Sequence, residues 1–123
     1  MIKPMGTFTA KFKIAPLAKP DSQVEVEGHV DTGAAYPFVP ESVLRSVGIV
    51  PTSEKTFVLA DGTRRIFTVG EVRFTYDGGS APCLVVFAPD GTEPLFGALA
   101  LESLGLDVDP VARTLKPATL YLA

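Results

Sequence analysis

The sequence predicts an all-β, mainly antiparallel domain with one or two short helices. Short runs alternate apolar and polar residues with the period of a half-buried strand. Eleven Gly and eleven Pro are spread as punctuation between those runs, which implies many turns. Residues 1–123 fit one domain, long enough to bury a core without disulfides or metals.

Phe8 to Ile14 is the first strand, with Phe8, Ala10, Phe12 and Ile14 on one side and Thr9, Lys11 and Lys13 on the other. The two prolines and the Asp-Ser pair of Ala15 to Ser22 read as a connection. Gln23 to Val30 alternates again and runs into Asp31, so the two strands form a hairpin that delivers a carboxylate at its far end. Tyr36 to Val39 is extended, because residues before proline avoid the helical region. Pro40 to Val47 reads as a short helix with Val43, Leu44 and Val47 inward and Gly48 as its stop. Phe57 to Phe67 forms two arms meeting at Ala60-Asp61-Gly62-Thr63, where Asp-Gly predicts a two-residue hairpin turn. Ile66 to Tyr76 continues as a strand, and Asp77-Gly78-Gly79-Ser80 turns the chain. Ala81 to Phe87 is apolar throughout, as in a strand buried on both faces. Pro89 to Pro94 is a loop. Leu95-Phe96-Gly97 leads into a helix over Ala98 to Leu104, closed by Gly105. Leu106–Asp109 and Thr114–Lys116 are short strands. The apolar tail Leu120-Tyr121-Leu122-Ala123 is expected to dock on something.

Composition narrows the function. Net charge is −3, and Arg64-Arg65 is the only basic pair, which argues against a nucleic-acid partner. No apolar run approaches the roughly 18 residues of a membrane span. Met1-Ile2-Lys3-Pro4-Met5 leads into a strand-like pattern without a signal-peptide core. The single Cys83 forms no internal disulfide and no Cys/His metal pattern is present, so a reducing cytoplasmic setting is expected.

The chemistry centres on Val30-Asp31-Thr32-Gly33-Ala34, one carboxylate in a tight turn with no second copy of the motif. Asp31-Thr32-Gly33-Ala34 after an alternating strand, then a hairpin with a glycine tip, then Leu95-Phe96-Gly97 and a helix, resembles the retropepsin-like aspartic proteases. The resemblance runs from about Phe8 to about Lys116. The closing Leu104-Gly105-Leu106-Asp107-Val108-Asp109-Pro110 is more similar to small bacterial members than to viral ones.

The resemblance implies a closed acid-protease barrel and an endopeptidase whose two catalytic carboxylates share a proton across a water. One chain offers one such Asp. The second comes from a two-fold mate, so a homodimer is implied, with a peptide or protein as substrate and no cofactor or metal. By the same resemblance Thr32 bonds across the axis, and Gly33 lets backbone approach water and substrate. Ala34 and Ala35 contact substrate, Ala60-Asp61-Gly62 is a flap, and Leu95-Phe96-Gly97 is the structural support of the Asp31 site. Ala34 stands where pepsin-like enzymes often carry a hydroxyl donor, which implies a less acidic optimum than theirs. Viral members commonly pair an acid after the tetrad with an Arg after the apolar-apolar-Gly element. Here both positions are alanine, Ala35 and Ala98.

Each residue also has a plainer role. Asp31 suits a turn in which it bonds its own backbone. His29 reads as structural or interfacial, Cys83 as a core thiol, and Phe57, Phe67 and Phe74 as core. Arg64-Arg65 reads as a solvated arm, with substrate steering as the alternative. The function-level alternative keeps the fold without hydrolysis, as a peptide-binding or assembly module. A third reading is a protease confined to one partner or to itself. The intact Asp-Thr-Gly favours an enzyme.

Overall fold

The alternating runs fold as the strands that their spacing predicts, and their order is clear in the computed structural model, which describes residues 8–123. The elements are β1 (Phe8–Pro16), β2 (Val24–Val30), β3 (Phe38–Pro40), α1 (Glu41–Ser46), β4 (Ser53–Val58), β5 (Arg64–Tyr76), β6 (Gly79–Ala88), β7 (Leu95–Phe96), α2 (Ala98–Ser103), β8 (Leu106–Asp109) and β9 (Thr114–Pro117). The expectation for Met1–Met5 lies outside the described residues.

The main sheet runs β1-β2-β7-β3-β6-β5-β4, and β1 also pairs with β5. That extra pairing closes every strand except β4 into a barrel, which removes the open edges that an exposed sheet would carry. β1 and β2 pair from Phe8↔Val30 to Ile14↔Val24. The far end of β1 crosses to β5, from Lys13↔Thr75 to Pro16↔Val72. Most pairings are antiparallel. Two short ones, β2–β7 and β3–β6, are parallel. The hairpin β8–β9 forms a separate two-stranded sheet.

Side-chain alternation then fills the barrel. Phe12, Phe74 and Phe96 are fully buried and come from β1, β5 and β7. Phe12 stacks on Phe96 with ring centroids 4.1 Å apart and meets Phe74 edge-on at 6.1 Å. Ile14, Val26, Val30, Val39, Leu44, Val72 and Val85 complete this core. None of the described polar or charged side chains is buried. Cys83 is in the core as expected, and burial pushes its thiol pKa up.

The helices follow their sequence signals closely. α1 begins after Pro40, carries Glu41 in its first turn and bonds Glu41 to Arg45 at 2.8 Å. Leu44 is its one fully buried residue, with Val43 and Val47 half-buried. Gly48 and Gly105, both at positive φ, follow the two helices. His29 has a structural partner, since Nε2 lies 2.5 Å from Glu93 Oε2.

Two expectations change. β4 begins at Ser53, well before Phe57, because a strand wet on both faces shows no hydrophobic period. The two-residue turn with positive φ at both positions occurs at Asp77-Gly78 and not at Asp61-Gly62. Within the single chain the apolar tail, expected to dock on something, is exposed: Leu120, Tyr121 and Leu122 are 76%, 86% and 104% exposed.

Phe12 touches three aromatic neighbours, so truncating it removes the centre of the core. Phe12→Ala is expected to cost about 3–5 kcal/mol. Urea unfolding checks this through a lowered midpoint at an unchanged slope.

Candidate active site

β2 ends at Val30, and the chain must then reach β3. The slot between those strands is filled by β7, which pairs with β2 at His29↔Leu95 and Val30↔Phe96 and with β3 at Phe38↔Leu95. The connecting segment, residues 31–37, therefore passes over the end of β7. Asp31 N–H donates to the Phe96 carbonyl at 3.2 Å, extending the parallel ladder by one bond. Further on, Ala98 N–H donates to the Ala34 carbonyl at 2.8 Å and Leu99 N–H to the Ala35 carbonyl at 2.9 Å. These bonds fasten the segment to the start of α2.

Gly97 lies beneath this crossing. A Cβ there would stand 2.6 Å from the Ala34 carbonyl oxygen and 3.0 Å from that of Tyr36. Both neighbours are backbone, so no side-chain rotation relieves the contact. Leu95, Phe96 and Gly97 thus underlie the Asp31 turn.

Within the turn, Asp31 Oδ1 accepts the Gly33 N–H at 2.8 Å and the Asp31 carbonyl accepts the Ala34 N–H at 3.3 Å. The self-bonding role available to a turn aspartate is present. It uses one carboxylate oxygen and leaves Oδ2 without a hydrogen-bond partner among the described residues. Asp31 is half-buried, while Thr32, Gly33 and Ala35 are exposed.

Beside the turn is a groove of about 760 Å³, floored by Gly33, Ala34, Ala35 and Tyr36. The β4–β5 hairpin forms one wall through Phe57, Val58, Leu59, Ala60, Arg65 and Phe67, and Val86, Ala88, Pro89 and Thr92 form the other. Of the residues singled out in sequence, Gly33, Ala34, Ala35 and Ala60 line the groove. Asp31, Thr32, Asp61 and Gly62 do not.

Phe57 and Phe67 face this groove, although the sequence suggested core; Phe74 alone of the three is fully buried. Tyr36 meets Phe57 edge-on at 5.2 Å, and Phe57 meets Phe67 at 5.9 Å, so an aromatic run joins the Asp31 loop to the hairpin. Pairing register would have revealed the grouping. Phe57 stands opposite Arg65, and residues two apart on a strand share a face.

The hairpin tip is a three-residue loop. Gly62 N–H donates to the Leu59 carbonyl at 2.9 Å, Leu59 N–H donates to the Thr63 carbonyl at 2.8 Å, and Gly62 has φ +86°. This is a turn followed by a left-handed glycine bulge, the common three-residue hairpin form. Asp61 sets it, because Oδ1 accepts the Thr63 hydroxyl at 2.7 Å and the Thr63 N–H at 3.0 Å. Those two donors hold its carboxyl below the ordinary 3.8.

No family profile and no curated sequence matches this chain. Among solved structures, the chain is similar to the solution structure of the simian foamy virus (mac) protease, with a TM-score of 0.51 at 17% identity. The match covers 76% of this chain and 92% of the viral one. At that identity the likeness concerns the fold, and the barrel is a retropepsin-like one.

Gly97→Ala is expected to destabilise the chain by roughly 1–3 kcal/mol or more, as overpacking against fixed backbone does. Thermal unfolding checks it, and the Asp31 and Ala34 amide shifts report whether the turn moves. The Asp61 carboxyl has its folded pKa below its unfolded value, so its support of the hairpin tip is complete above about pH 4. It is lost only as pH falls through the lower folded value. An NMR titration of the Thr63 amide should therefore show its midpoint below 3.8. A midpoint at or above that value contradicts the assignment.

Proposed function

We propose that this chain is the single-lobe subunit of a homodimeric aspartic endopeptidase, with Asp31 of each copy supplying one of two carboxylates. The observation that supports this best is the Asp31-Thr32-Gly33 turn, fastened on Phe96 and lying over Gly97, beside a groove walled by a hairpin. A carboxylate with one oxygen free, next to exposed Thr32 and Gly33, is half of a site that a two-fold mate completes.

The chemistry follows from the pair. Two facing carboxylates do not both ionise, so they share a proton and titrate as a unit. The ionised member takes a proton from a bound water while the protonated member donates to the scissile carbonyl oxygen. The water oxygen adds to the carbonyl carbon to give a gem-diol. The C–N bond then breaks as the nitrogen takes a proton from the dyad and a gem-diol hydroxyl returns its proton there, so a carboxylic acid and an amine leave and the dyad again shares one proton. Thr32 ties the two turns together across the axis. Gly33 keeps the backbone close to the reacting atoms. Ala34 and Ala35 floor the substrate site, and the Ala60-Asp61-Gly62 hairpin acts as a flap that excludes water. Leu95, Phe96 and Gly97 support the turn. No metal or cofactor has a step in this scheme, and a buried, protonated Cys83 suits a reducing cytoplasm. No helix among the described residues is long and apolar enough to cross a membrane.

One observation favours a second reading. Asp31 Oδ1 is already satisfied by Gly33, and an apolar groove would hold an extended peptide without cutting it. That describes a peptide-binding or assembly module.

Incubation with an unfolded protein between about pH 4 and 7 separates the two. Wild type is expected to cleave, and Asp31→Asn to lose about 10³-fold or more in kcat/KM with folding unchanged. Specific activity should fall on dilution as dimers dissociate. A well-formed dimer without cleavage points to the binding module, and full activity from a monomer rules out the shared site.

A further inference from the structure

The lining of the groove carries one charge. Arg65 is the only ionised residue among those lining it, and the rest are apolar or uncharged. In the β4–β5 ladder Arg65 stands opposite Phe57, so Phe57, Arg65 and Phe67 share the face that lines the groove. Arg64 and Ile66 alternate to the other side. The Arg65 guanidinium carbon lies 5.2 Å from the centre of the Phe67 ring. Stacking on a ring holds this planar, weakly hydrated ion in one place. Among the described residues no carboxylate pairs with it.

We propose that Arg65 makes the groove selective for an extended peptide carrying an Asp or Glu side chain beside bulky apolar residues. The inference rests on the reading of the groove as a peptide site. A strand laid in the groove covers the guanidinium and strips its water. A covered cation with no counter-charge is costly, so a peptide that brings a carboxylate binds better than its neutral isostere. The fork of N–H donors matches that carboxylate with two parallel bonds. Lys or Arg at the same peptide position meets a like charge and is rejected. Phe57, Phe67 and Val86 offer apolar contact to the flanking side chains. Because the peptide carboxyl is charged only above about pH 4, the preference fades as the solution is acidified past that point.

The test uses matched peptides that place Glu, Gln or Lys at each position in turn of one apolar sequence. Cleavage by wild type is compared with Arg65→Gln, Arg65→Glu and Arg64→Gln, and peptide binding is measured by anisotropy on Asp31→Asn. Wild type is expected to favour one Glu position over Gln by roughly 10- to 100-fold in kcat/KM. Arg65→Gln should level that ratio, and Arg65→Glu should invert it toward Lys. Arg64→Gln, which removes the same charge from the opposite face, should leave the ratio intact. Cleavage without an Arg65-dependent preference overturns this inference and spares the protease reading. Arg65-dependent binding of the Glu peptide without cleavage overturns the protease reading and sustains this one. Equal binding of Glu and Gln peptides with no cleavage overturns both.

Discussion

The site depends on one crossing: the chain between β2 and β3 must pass over β7, which fills the slot between them. There is room for backbone on backbone and nothing more, which is why residue 97 has no side chain. Phe96, one residue earlier, is fully buried and stacked on Phe12. The height of β7, and with it the position of Asp31, is therefore set by aromatic packing inside the barrel. Truncating a buried Phe to Ala costs about 3–5 kcal/mol, against about 1 kcal/mol for the bond from Gly33 to Asp31. Core packing fixes the turn, and its own hydrogen bonds trim it.

A second fastening is electrically neutral. The residues after the Asp31-Thr32-Gly33-Ala34 tetrad and after Gly97 are both alanine, Ala35 and Ala98. Backbone bonds tie the same segments, Ala98 to Ala34 and Leu99 to Ala35. A neutral tie carries no desolvation cost for charges taken out of water. It also leaves both alanine side chains free of any requirement for a partner.

Much of the barrel was legible, for identifiable reasons. β1 and β2 are half-buried, so their alternation is clean, and Gly48 and Gly105 mark where the helices end. The Asp31 turn was visible because an acid among small residues suits little else. Other features depend on contacts between distant segments. Closure of β1 on β5 pairs residues about sixty positions apart and leaves no local mark. The first four residues of β4, Ser53 to Thr56, are polar and exposed on both faces and have no period to read. Asp61-Gly62 and Asp77-Gly78 share a dipeptide but form different turns, because the loop around the first is one residue longer. Phe57 and Phe67 look like core residues by composition, and only the register of their hairpin turns them toward the groove.

The 13-residue strand β5 belongs to two structures at once. From Val72 to Thr75 both its edges are paired, to β1 and to β6, so that half cannot open without breaching the barrel. Among the described residues, Arg64 to Thr68 pair only with β4, and no strand pairs with the far side of β4. The outer half therefore behaves as a cantilever clamped at its root. It can fray, re-form or accept another strand along its bare edge at the cost of a single ladder, while the clamped half keeps the stability of the whole domain. One continuous backbone thus runs from amides held between two neighbouring strands at Val72–Thr75 to amides held by a single ladder at its outer end.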